Sequence, residues 1–151
     1  KEFSEVLKGY EGDILFEIKY DSNKINEYYP DYSTYARIIY EESKKGKDFK
    51  NLFFMSFNIK ILNELHKIMP DSKYIFLSEN KEFRSQTKLL DFKPNGFGVD
   101  YKIISKSIIS GIHKDKQIIY AWTVNKLKDY KKLIALGVDG IITDYPDIIS
   151  K

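Results

Sequence analysis

Along the chain, short apolar runs alternate with stretches in which apolar residues recur every three or four positions. The first pattern predicts buried strands and the second predicts amphipathic helices. Asp13–Tyr20 alternates, with Ile14, Phe16 and Ile18 on one face and Leu15, Glu17 and Lys19 on the other. Asp31 stands where it can cap a helix that buries Tyr35, Ile38 and Ile39 and ends near Gly46. Leu52–Phe57 is the next predicted strand. Asn58 then caps a helix with Ile61, Leu62, Leu65, Ile68 and Met69 on its stripe, and Pro70 ends it. Tyr74–Leu77 reads as a short strand and Ser78–Phe92 as an irregular helix. Asn95–Asp100, with two glycines, reads as a strand tip or a short strand. Lys102–His113 is a predicted helix with Ile104, Ile108 and Ile112 on one face. Ahead of all these, Lys1–Gly9 reads as the end of a helix with Phe3, Val6 and Leu7 apolar.

The last stretch has the clearest pattern. Ile118–Val124 is β-rich, and Asn125 is a predicted N-cap. Leu127, Tyr130, Leu133, Ile134 and Leu136 make one helix stripe, Gly137 stops the helix, and Val138–Ile142 is a second buried strand. Thr143–Asp144–Tyr145–Pro146 then turns the chain. Two apolar strands joined by a helix form a right-handed parallel crossover, the repeating unit of an α/β protein. Five strands alternating with helices are expected over one domain of residues 1–151, too few to close an eight-stranded barrel. Such a sheet leaves two open edges and an apolar face, so a partner segment or self-association is expected.

Composition adds limits rather than a function. Hydrophobic residues at 42% can build a core, and twelve Tyr and ten Phe alongside 31% charged residues argue against disorder. No apolar run approaches the ~20 residues of a membrane span. A formal charge of +3 on a chain with scattered Lys and Glu reads as a solvated surface rather than a nucleic-acid patch. The absence of Cys excludes disulfides and thiolate metal sites.

For candidate chemistry, Glu17 and Lys19 share one face at the carboxyl end of a predicted parallel strand. They read either as an ion pair or as a site pair. His66 and His113 read as helix residues, not acid–base catalysts. Asp139 and Asp144 read as turn and capping acids. Ser56 has no base nearby in sequence to activate it as a nucleophile. The Lys44–Lys45–Gly46–Lys47 run reads as a solvated helix end.

WTVN (Trp122–Asn125), a helix and then LGVDGIITDYPD (Leu136–Asp147) resemble the end of the glycerophosphodiester phosphodiesterase family. FSEVL, FEIK, MSF and YIFL resemble earlier segments in the family's order. The resemblance implies a TIM barrel of which this chain holds only the last five strands, the fourth to the eighth. By the same resemblance Glu17 is a ligand of the catalytic divalent ion, Ca²⁺ or Mg²⁺, and Lys19 faces the phosphate. Ser56 and Phe57 lie near the site, and Trp122 lines the pocket. The family's His-Arg pair, its paired Glu and Asp ligands and its second His have no counterpart in this sequence.

The implied activity is metal-dependent hydrolysis of glycerophosphodiesters to glycerol 3-phosphate and an alcohol, with the isolated chain inactive alone. A carboxylate-held ion stabilises the charge gathered in the transition state, and Lys19 adds a positive point charge. Neither Glu17 nor Lys19 supplies the proton transfers. Two alternatives stay open. One is a related barrel of the sphingomyelinase D or phosphatidylinositol-specific phospholipase C type, and the other is a non-catalytic half-barrel binding a phosphate or a partner.

Overall fold

The computed structural model describes residues 10, 12–25, 27–45 and 52–147. The predicted helix over Lys1–Gly9, the FSEVL segment, Gly46 and Lys47 lie outside them. The chain divides into two compact units, Lys1–Tyr74 with Leu89–Lys93, and Ile75–Lys88 with Pro94–Lys151.

In the first unit, β1 (Ile14–Glu17) leads through a loop to α1 (Tyr32–Lys44), then β2 (Leu52–Ser56) and α2 (Ile59–Ile68). β1 and β2 are parallel, with Ile14 opposite Leu52 and Glu17 opposite Met55. Beyond that register the Ile18 amide donates to the Met55 carbonyl at 2.7 Å. Phe53, Phe54, Met55 and Ser56 are all buried, as in a parallel strand covered on both faces. Asp31 caps α1, its carboxylate accepting the Thr34 amide at 3.0 Å and the Thr34 hydroxyl at 2.6 Å. Those bonds hold its carboxyl below the usual range. The helix buries Ala36 and Ile39; Ile38, expected on the stripe, is 48% exposed. Asn58 caps α2 as its sequence position suggested, accepting the Ile61 amide at 3.2 Å, and Ile61, Leu62 and Leu65 are fully buried. Lys44 and Lys45 pair with Glu41 and Glu42 on the solvated side of α1.

β3 (Lys73–Ser78) starts in the first unit and continues in the second. The second unit adds α3 (Phe83–Gln86), a single turn, then β4 (Gly96–Asp100), α4 (Lys106–Lys114), β5 (Ile118–Trp122), α5 (Leu127–Leu136) and β6 (Gly140–Ile141). β3, β4, β5 and β6 are neighbours in that order, and every pairing among them is parallel.

The described residues therefore hold six strands, not the expected five, because the two-glycine segment is a full strand between β3 and β5. Its glycines make room for neighbours instead of ending the strand. A Cβ at Gly96 would lie 2.4 Å from the Ile118 carbonyl oxygen, and one at Gly98 would lie 2.4 Å from Leu77 Cδ2.

Three further expectations change. The predicted helix over Lys102–His113 is a 3₁₀ turn at Tyr101–Ile103, a break, and then α4 capped by Ser105. Ile109 and Ile112 are its buried residues, and Ile104 lies outside it. The cap position of α5 is Lys126 rather than Asn125. Ile134 is 47% exposed, so Leu133 carries the buried edge of that helix. Gly137 ends α5 in the left-handed conformation, φ 95°, as its place in the sequence requires.

Candidate functional site

Parallel strands present their carboxyl ends together, and in the first unit those of β1 and β2 border a cleft of about 350 Å³. Three bonds tie this end together. The buried Ser56 hydroxyl donates to the Ile18 carbonyl at 2.7 Å and accepts the Asn58 amide at 3.0 Å. Asn58 Nδ2 donates in turn to the Tyr20 carbonyl at 3.4 Å. With Ile18 clamped and buried, the residues flanking it, Glu17 and Lys19, share the opposite face and are exposed at the cleft. Phe57, at the end of β2, is 47% exposed and lines the same cleft.

Among the described residues neither Glu17 nor Lys19 takes part in an ion pair, so the pair reading expected as an alternative does not describe them. Ser56 has both sides of its hydroxyl engaged and no base beside it, which makes it a structural residue.

Sequence reasoning missed the cleft's other wall. Tyr20, Asp21 and Tyr29 come from the loop after β1. Tyr20 stacks on Tyr32 with ring centroids 4.4 Å apart and packs against Tyr29 and Tyr35, and its hydroxyl donates to the Pro30 carbonyl at 2.7 Å. Burial, then the neighbouring Tyr32, pushes the Tyr20 phenol up. The signal available in the sequence was the run Tyr28–Tyr29–Pro30–Asp31–Tyr32.

Among the described residues, Glu17 and Asp21 are the carboxylates that line the cleft. One oxygen of Asp21 already accepts the Asn23 amide at 2.9 Å. Among the described residues no three or more His, Asp or Glu side chains converge as a metal-binding group. A hard cation asks for six or more oxygens. Glu17 is of the right chemical type and exposure to be one donor, but the described residues do not complete a site.

In the second unit, Trp122 ends β5 half-buried, its ring over Gly98. Asn125, freed from capping, joins the loops after β5 and β6. Its Oδ1 accepts the Thr143 hydroxyl at 3.1 Å and the Asp144 amide at 3.0 Å, and its Nδ2 donates to Asp144 at 2.7 Å. Asp144 is thereby a turn residue, as its sequence context indicated.

Both histidines stand away from the strands' carboxyl ends. His66 stacks on Phe92 at 4.1 Å and meets the edge of Tyr74, near the start of β3. His113 Nε2 lies 2.9 Å from Asp139 Oδ2, which also accepts the Ile119 amide at 2.8 Å near the start of β5.

A curated glycerophosphodiester phosphodiesterase from Bacillus altitudinis is 34% identical over 94 residues, covering 61% of this chain and 38% of that protein. Another, from Bacillus subtilis, is 29% identical over 119 residues, covering 76% of this chain and 39% of that protein. The chain thus spans well under half the length of these curated relatives. An Oleispira antarctica phosphodiesterase solved with the product sn-glycerol-3-phosphate superposes with a TM-score of 0.79 at 19% identity, over 98% of this chain and 59% of that one. That likeness shows a shared α/β, TIM-barrel-like fold with parallel strands alternating with helices. The glycerophosphoryl diester phosphodiesterase family profile matches residues 1–148, and the chain belongs to that family.

Proposed function

We propose that this chain forms the phosphate-binding part of an enzyme that hydrolyses glycerophosphodiesters to glycerol 3-phosphate and an alcohol. The observation that carries the reading is the convergence of Glu17, Lys19 and Phe57 on one cleft at the carboxyl ends of two parallel strands. TIM-barrel active sites are built at that end. Lys19 contributes a point charge to a phosphate oxygen, Phe57 an apolar wall for the substrate's carbon skeleton, and Glu17 one oxygen ligand to Ca²⁺ or Mg²⁺. Such an ion, when bound, supplies Lewis-acid stabilisation of the charge on phosphorus-bound oxygens. Trp122 is proposed as a substrate contact of the second unit. With β6 counted as the last of eight barrel strands, the six strands would be the third to the eighth.

The proton-transfer groups and further metal ligands are proposed to come from polypeptide other than these 151 residues. Supporting this are the positions of His66 and His113 at the amino ends of strands and the modest share of the relatives' length that the chain spans.

Calorimetric titration of the 151-residue chain with sn-glycerol 3-phosphate, with and without Ca²⁺ or Mg²⁺, tests the assignment. Lys19→Ala should weaken binding about tenfold to a hundredfold, the worth of a charge-assisted hydrogen bond. Glu17→Gln should abolish any metal dependence of that binding. Absence of binding at millimolar ligand, or binding indifferent to both substitutions, sinks the assignment. Phosphodiesterase turnover by the isolated chain would overturn the placing of the proton-transfer groups elsewhere.

A further inference from the structure

Beside the cleft lies a second groove of about 600 Å³, within the size range of small-molecule sites. Phe57 and Asn58 line both, so the groove and the cleft adjoin at these two residues. Its other walls include Tyr32, Ile59, Lys60 and Leu89, with Ser22 at one side. Leu89 is 66% exposed and yet held in place. Asn63 Nδ2 donates to the Leu89 carbonyl at 3.0 Å, and Asn63 Oδ1 accepts the Asp91 amide at 3.0 Å. The fold therefore presents two large apolar side chains, Phe57 and Leu89, to a groove that adjoins the candidate phosphate cleft.

The charges of the two cavities differ in sign. Glu17, Lys19 and Asp21 line the cleft, two carboxylates to one cation, whereas the described lining of the groove has no carboxylate and one cation, Lys60. Lys60 Nζ stands 5.8 Å from the centre of the Tyr32 ring, so of the two aromatic rings in the described lining, Tyr32 and Phe57, the first already faces a cation. Lys60 also sits in the first turn of α2, where the helix dipole favours an anion. The helix dipole therefore does not account for a lysine at this position.

We infer that this groove is the subsite for the alcohol half of the phosphodiester, and that Lys60 makes it prefer a neutral or anionic alcohol over a cationic one. The inference rests on the proposed function, since the phosphate must sit in the adjoining cleft for the alcohol to reach Tyr32 and Leu89. The apolar walls cover the carbon skeleton of the alcohol. An ammonium head group would meet a like charge with no carboxylate to offset it.

The test is calorimetric titration of the 151-residue chain with three probes: sn-glycerol 3-phosphate, glycerophosphoglycerol and glycerophosphocholine. The readout is the affinity ratio of the last two. Glycerophosphoglycerol should bind about fivefold tighter, the effect of one partly screened like charge. Lys60→Gln should bring the ratio close to one, and Lys60→Glu should reverse it. Glu is favourable in a first helical turn, so that variant should fold. Equal or tighter binding of glycerophosphocholine by the unsubstituted chain, or a ratio unchanged in both variants, overturns the subsite while sn-glycerol 3-phosphate binding leaves the cleft assignment standing. Failure of sn-glycerol 3-phosphate to bind removes the cleft assignment and the subsite with it.

Discussion

Ser56 shows how much of the candidate site rests on a residue with no chemistry to perform. Its hydroxyl joins β1 to β2 through the Ile18 carbonyl and holds the first amide of the turn into α2. The Ile18 carbonyl is buried and the Asn58 amide part-buried, so losing the hydroxyl leaves an acceptor unmet and a donor less well met. Ser56→Ala should cost about 1–3 kcal/mol in urea unfolding. A loss below the error of the measurement would show that the clamp does not hold this end of the strands. Glu17 and Lys19 were legible as a pair from strand alternation alone, because side chains two apart share a face. The residues opposite them, Tyr20, Asp21 and Tyr29, were not, since a loop has no period from which to read its direction.

Individual elements were readable where a local interaction decides them and misread where a neighbour does. Asn58 and Asp31 cap their helices as their sequence positions indicate, and Gly137 ends α5 in the left-handed region. Asn58→Ala should destabilise by about 1 kcal/mol in chemical denaturation, with Asn58→Asp retaining most of the stability. Equal losses in the two variants would mean that capping is not the role. Asn125 looks the same as Asn58 in sequence, but its amide is taken by Thr143 and Asp144, eighteen and nineteen residues away. β4 was underread because glycine weakens strand propensity, while here close approach of β5 requires it. Gly96→Ala should therefore cost about 1–3 kcal/mol, since its Cβ would meet backbone. Gly98→Ala should cost less, because it meets only the tip of the Leu77 side chain. The reverse order would contradict this account of β4.

At the scale of the whole molecule, stability should fall on the alkaline side. Burial pushes the Tyr20, Tyr35 and Tyr74 phenols above their ordinary value of about 10, and Tyr74 is the most strongly shifted. Above about pH 10 the unfolded chain releases these protons while the folded chain keeps them. The unfolded state then binds fewer protons, and unfolding free energy declines as pH rises. Below that pH the contribution is fully present. Urea midpoints should be level from pH 7 to 9 and drop from pH 10 upward, and Tyr74→Phe should flatten the drop. A midpoint that holds steady to pH 11 would refute the linkage.

The sequence by itself determined the alternation of strands and helices, the parallel pairing it forces, and the position of Glu17 and Lys19 at a strand's carboxyl end. All of these follow from periodicity and from short-range capping, which act within a few residues. It also carried enough of the family's motifs, in order, to indicate the family. Only the tertiary structure decided that a two-glycine segment is a sixth strand, that Asn125 serves a turn rather than a helix, and that a tyrosine-packed loop walls the cleft. It alone set a lysine-bearing groove beside that cleft. Those outcomes depend on side chains that meet across long stretches of chain, and no local pattern records which of them will be neighbours.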